Sequence, residues 1–186
     1  MIENIGKNII ESDKFSNDLT PKFENDNKLD RPISKEDLMP DFYKEEVRKN
    51  IDENSPYSKE INDNIKSEQE LDVYKKANLK ENEINDKKCL EKTDIDYEQI
   101  DEDGKTNLER MEDGKPPLDK NGNPIELHHI GQKSDSPLAE LTKEEHRGRD
   151  NHSVLHDVSK ESEIDREKFS KERSDYWKAR AEEIKK

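Results

Sequence analysis

The chain has 186 residues, of which 26% are hydrophobic and 44% charged, and its formal net charge is −14. An average globular domain is roughly 45–50% apolar, so this composition excludes one large uniform core and predicts that only part of the chain is compact. No stretch approaches the roughly 18 consecutive apolar residues of a membrane span.

The charge is unevenly spread. Residues 1–103 hold 17 basic and 29 acidic side chains, and residues 104–186 hold 17 and 19. Acidic surfaces are repelled by phosphate backbones, but here the repulsion belongs mainly to the first segment. The N-terminal Met1-Ile2-Glu3-Asn4-Ile5-Gly6 lacks the apolar centre of a signal peptide, so any export is expected to depend on another segment or a dedicated machine. A single cysteine, Cys89, allows no internal disulfide and reads as a half-buried bystander.

Residues 1–31 are rich in Asn, Asp, Ser and Lys and show no sustained period, which predicts linker or disorder. Ser34 and Asp37 resemble a capping box, with Pro40 soon after. Phe42, Glu46, Val47 and Ile51 then lie at helical spacing, as do Ile61, Ile65, Leu71 and Tyr74. Two or three polar helices are expected here. A boundary is expected within residues 78–103, where Ile95 and Tyr97 alternate with polar residues and suggest a short strand. Asp94, Asp96, Asp101 and Asp103 lack the spacing of a calcium-binding loop.

From Gly104 the texture changes. Thr106 to Met111 reads as a short helix. Pro116 and Pro117 force extended chain. Asn121-Gly122 is a hairpin turn signal, which predicts that Pro117-Leu118 pairs with Pro124-Ile125-Glu126-Leu127. Leu138 to Leu141 suits a strand. Thr142 with Glu145 three residues on predicts a capped helix start, and Gly148 is expected to end that helix. A last helix is expected from Ser159, with Phe169, Tyr176, Trp177 and Ile184 on its apolar face. Trp177 reads as a core anchor, with base stacking as the other use of such a ring.

The histidines carry the chemistry. All five (His128, His129, His146, His152 and His156) fall within 29 positions. Imidazole is the commonest metal ligand and the usual general base near neutral pH. His128 and His129 are adjacent on an expected strand, so they point to opposite faces; the simplest use is one on a metal and one on substrate. His152 and His156 are four apart and share one face if helical.

Leu127-His128-His129-Ile130, then Leu138 through Arg147, then Val154-Leu155-His156 resemble the LHH group of nucleases in the HNH/endonuclease VII superfamily, common as C-terminal domains of bacterial polymorphic toxins. The resemblance covers roughly residues 93–186. It implies an α+β fold with a ββα-metal (His-Me finger) core and flanking helices. On this reading residues 1–92 are a polar, partly disordered or helical preceding segment. It also implies one divalent ion (Zn2+, Mg2+ or Mn2+), with His128, His146 and His156 as ligands and His152 in reserve. His129 would be the general base. Arg110 is a further catalytic candidate, and Arg147 and Arg149 are candidate phosphate contacts. The asparagine that orients the base in the HNH pattern has no clear counterpart before Leu141, and Glu140 is the candidate substitute. The implied activity is endonucleolytic hydrolysis of DNA, with RNA open. The implied context is a toxin made in a bacterial cytoplasm, delivered as part of a larger protein and opposed by a cognate immunity protein. The alternative is a structural zinc-binding interaction module without catalysis.

Overall fold

The computed structural model describes residues 40–157 and 164–186, which lie within one compact unit spanning residues 32–186. The expected linker at 1–31 and the Ser34–Asp37 cap lie outside the described residues.

Three helices come first: α1 (Asp41–Asn54), α2 (Lys59–Asn62) and α3 (Glu68–Lys76). Most of the apolar positions picked out by helical spacing are buried, but Phe42 at the start of α1 is 71% exposed and Val47 only packs against the core. Ile51, Ile61, Ile65, Leu71 and Tyr74 all enter one core cluster. Ser67 caps α3 by accepting from the Glu70 amide. A hairpin follows, β1 (Leu79–Ile84) and β2 (Lys87–Lys92), paired antiparallel. Its two-residue turn, Asn85 and Asp86, has φ of 53° and 59°. Asn and Asp tolerate that left-handed backbone, and it matches the twist of paired strands.

Next come α4 (Asn107–Glu112), β3 (Glu126–His129), a 3-10 turn (Ile130–Gln132), β4 (Leu138–Leu141), α5 (Lys143–Arg147), α6 (His152–Leu155) and α7 (Arg166–Ile184). The four strands form one sheet in the order β1-β2-β4-β3. β2 and β4 are parallel, and β3 and β4 antiparallel. The fold is α+β, as expected, and β3 forms one edge of the sheet.

Strand alternation sends neighbours to opposite faces and builds two cores. Leu90, Ala139 and Leu141 pack toward α1–α3 and α6. Cys89, Leu127 and Leu138 pack toward α4 and α7, around the buried Trp177. Trp177 is therefore a core anchor.

Three expectations need correction. First, the sheet runs across the expected boundary between residues 92 and 93. β2 pairs with β4, and Lys92 is buried with its ammonium on Glu145 and on the Ala77 carbonyl. The hairpin and helices before residue 93 are part of the compact unit. Second, Ile95 and Tyr97 do not lie in a strand. The start of α4 satisfies that backbone instead: the Leu108 amide donates to the Tyr97 carbonyl, and the Asn107 side chain donates to the Asp96 carbonyl. Third, the expected hairpin of 117–118 with 124–127 shrinks to a single bridge, Leu118 with Pro124. Prolines at 116, 117 and 124 carry no N–H for a ladder, so β3 takes β4 as its partner.

Candidate metal centre and active site

β3 ends on the two histidines, and its alternation separates them. His128 faces α5 and α6, where His128, His146 and His156 offer ligand atoms that all lie within 4.8 Å of one another. His129 faces α7. Its ring centroid lies 4.5 Å from that of Phe169, and its Nε2 lies 3.1 Å from a Glu172 oxygen.

Each residue of the trio is placed by local chemistry. His146 sits on α5, which starts immediately after β4 because Thr142 and Glu145 form the expected capping box. Gly148 ends α5, also as expected. The Asn151 side chain then bonds back to the Glu145 carbonyl, and the short helix α6 brings His156 round. The turn after β3 needs a glycine. Gly131 has φ of +70°, and a Cβ there would meet the Asn64 carbonyl oxygen at 2.3 Å. Its N–H donates to the buried Glu70 at 3.2 Å, so α3 clamps the loop that follows the histidines.

The hydrogen bonds at the back of the rings define the front. His146 Nδ1 lies 2.6 Å from Glu126 Oε2, and His156 Nδ1 lies 3.1 Å from the His152 carbonyl. Both partners are acceptors, so both Nδ1 atoms carry the proton and both Nε2 atoms present lone pairs. Those two Nε2 atoms are 3.2 Å apart, and His128 Nδ1 is 3.1 Å from His146 Nε2. His128 Nε2 is buried with no hydrogen-bond partner. Facing lone pairs repel unless a cation lies between them. Burial holds His128 well below its usual pKa, and its histidine neighbours add to this. Burial also lowers His146, against a smaller opposing pull from Glu126. Burial and the neighbouring His146 bring His156 down to about 4. Three neutral imidazoles with carboxylate and carbonyl groups behind them fit a divalent transition metal.

The other candidates fall elsewhere. The exposed ring of His152 stacks on His156 at 4.7 Å, and its carbonyl fixes the His156 tautomer; it is not one of the trio. Arg147 pairs with Glu126 at 2.8 Å. Arg149 is exposed beyond α5. Arg110 is committed to the loop before β3, with Asp101 at 2.6 Å and the Pro116 carbonyl at 3.0 Å, so its guanidinium holds that loop together. Glu140 does not support His129. It is fully buried among Tyr176, Arg180 and the Lys92 amide.

Glu172 on α7 takes that place. One oxygen meets His129, and the other accepts from Lys87 Nζ at 2.7 Å. Burial pushes its carboxyl up, but the bonds from His129 and Lys87 outweigh this and keep it below the ordinary range. No spacing rule points across 43 residues to Glu172. The only hint was its place three residues after Phe169, on the apolar side of a helix otherwise full of charge.

A family model described as LHH, a nuclease of the HNH/ENDO VII superfamily with conserved LHH, matches residues 106–183. Those residues, fewer than half of the chain, are similar to the LHH family. The family's activity is nucleolytic, the hydrolysis of phosphodiester bonds. The matched segment contains the Leu127-His128-His129 triplet, the remaining histidines and Glu172. It begins after β2, so the LHH segment shares its sheet with two strands from outside the match. No solved structure gives a significant match to the chain.

Proposed function

We propose that the protein is a metal-dependent endonuclease that cleaves DNA. On this reading His128, His146 and His156 hold one divalent ion and His129 is the general base. The observation that carries it is the pair of lone-pair nitrogens of His146 and His156, 3.2 Å apart, beside the third imidazole of His128.

The chain's own residues would work as follows. Glu172 accepts a hydrogen bond from His129 Nε2–H, which leaves Nδ1 with the lone pair needed to take a proton from water. Phe169 packs against the ring and limits its rotation. His129 is the last residue of edge strand β3. A phosphodiester laid across that end can therefore be approached from the His129 face and from the metal-site face. Arg147 and Arg149, on the same surface as α5, would contact the backbone on either side. A bound divalent ion would stabilise the charge on the phosphate and on the leaving oxygen as a Lewis acid.

The test is supercoiled plasmid incubated with the full chain and magnesium, manganese or zinc, with a chelator arm and a parallel RNA arm. Nicking of DNA with metal and none with chelator is the expected result. Tight zinc binding with no cleavage of DNA or RNA under any metal would instead indicate a structural metal module. We further propose, from the setting common to this group, a toxin role with delivery inside a larger protein and a cognate immunity protein. Growth arrest on expression in bacteria, relieved by His129→Ala, is the expected sign. Normal growth with an active enzyme would count against the toxin role.

A further inference from the structure

On the His128 face a groove of about 1070 Å3 runs between α1, the start of α3 and α6. His156, one of the metal-site trio, forms part of its wall. Val47, Val154 and Leu155 give it an apolar floor. Its cations are Lys44, Arg48, Lys49 and Lys66. Three of them have partners. Lys44 lies 3.2 Å from Asp41, and Lys49 lies 3.7 Å from Glu53. Arg48 donates to the carbonyls of Asn62 and Ile65 at 2.6 and 3.1 Å.

Lys66 differs. Its ammonium makes no hydrogen bond or ion pair among the described residues. It is half-buried, directly before α3, with its Cε 3.5 Å from where a Cβ on Gly131 would stand. Lys66 and His156 line the same groove, so the Lys66 charge faces the same space as the metal-site trio. A cation with no ion pair, sharing a groove with a cluster built to hold a metal, works against that metal unless an anion joins them. Glu70 feels the Lys66 charge from inside the core, but Tyr74, the Lys66 amide and the Gly131 amide take its oxygens, and it forms no ion pair with the ammonium. The missing partner is a negative group that enters from the groove.

We propose that this groove receives the nucleic-acid strand on one side of the scissile bond, and that Lys66 holds a backbone phosphate there beside the metal centre. The inference rests on the nuclease reading above. The apolar floor offers a surface for a base or sugar. Glu45, Asp52 and Glu53 on α1 and Asp157 beside His156 repel phosphate, which leaves Lys66, the cation without an ion pair, as the backbone contact. Lys66 lies outside residues 106–183, so the segment before the LHH match supplies part of the substrate site.

The test is fluorescence anisotropy with the full chain in a His129→Ala background, which slows turnover, on labelled single-stranded DNA, duplex DNA and RNA of one sequence. Lys66→Ala is expected to weaken binding about tenfold and to reduce the salt slope of log K by about 0.7–0.9. Lys66→Glu should weaken it further. Lys120→Ala, in an exposed turn away from the groove, should match the parent. The melting temperature and zinc affinity of Lys66→Ala should hold or rise. The arm with the largest Lys66 effect identifies the strand type. Lys66 variants that bind with parental affinity and slope overturn the proposal, and they leave the nuclease standing if the parent chain cleaves. Loss of zinc affinity in Lys66→Ala also overturns it, because Lys66 would then act through the metal site. A chain that neither binds nor cleaves any of the three overturns both readings.

Discussion

Glu126 does two things at once. Its Oε2 accepts from His146 Nδ1 at 2.6 Å and from Arg147 Nε at 2.8 Å. It thereby fixes the tautomer that aims His146 Nε2 into the cluster. Glu126→Gln can offer its amide nitrogen where an acceptor is needed, so metal affinity should fall about 10–100-fold with little change in fold. Titration calorimetry with zinc checks this, and an unchanged affinity would show that Glu126 does not orient the ligand. The depressed histidines also set a pH dependence. In the unfolded chain these groups take up protons near pH 6.5, while folded His156 resists until about 4. His128 and His146 are lowered in the same direction. Above pH 6.5 the histidines are neutral in both states and impose no penalty. Between about 6.5 and 4 the unfolded state binds more protons, so the metal-free protein should lose stability as pH falls through that window. Urea midpoints at several pH values would show it, and a flat profile would contradict the burial of the trio.

The element scale shows why some features could be read from sequence and others could not. Local patterns translated directly. Thr142 with Glu145, the short helix from Thr106, and the apolar spacing of Leu71 and Tyr74 all depend on neighbours within one or two turns, and all were realised, whereas Ile65 is buried from the loop between α2 and α3. The opposed faces of His128 and His129 followed from strand alternation alone. The β1–β2 hairpin was missed because Leu79-Lys80-Glu81-Asn82-Glu83-Ile84 carries one buried position. Its signal lay in Asn85-Asp86, a weaker turn pair than Asn-Gly. Pairing partners are non-local, so nothing within 117–129 announced that β3 would choose β4. Glu172 and Lys66 reach the site only through tertiary packing. The turn between β3 and β4 offers an element-scale test. Gly131→Ala must hold a left-handed backbone, at about 1–2 kcal/mol, and must also move the Asn64 carbonyl. It should lower the melting temperature and weaken metal binding together, since His128 and His129 lie just before it. A melt unchanged from the parent would mean that the α2–α3 loop yields freely.

At the scale of the whole molecule, the family match and the folding unit differ in extent. The match starts at residue 106, but the sheet draws β1 and β2 from residues 79–92. Buried charges cross the same line. Arg180 on α7 meets Glu91 at 3.2 Å and Glu140 at 3.3 Å, and Lys92 meets Glu145 at 2.9 Å. Removing one partner of such a buried pair costs about 3–5 kcal/mol, a large share of the stability of an ordinary domain. A fragment of residues 93–186 should therefore fail to fold cooperatively, while residues 32–186 should melt as the full chain does. Circular dichroism melts decide this, and a stable fragment 93–186 would show that the hairpin only decorates the domain. The measurement that tests the central claim most directly is plasmid cleavage by full-length His129→Ala with metal binding followed in the same sample. The account predicts zinc affinity equal to the parent and a cleavage rate lower by about 10²–10⁴-fold. Parental cleavage by this variant, or loss of metal together with activity, would contradict the separation of roles between the two adjacent histidines.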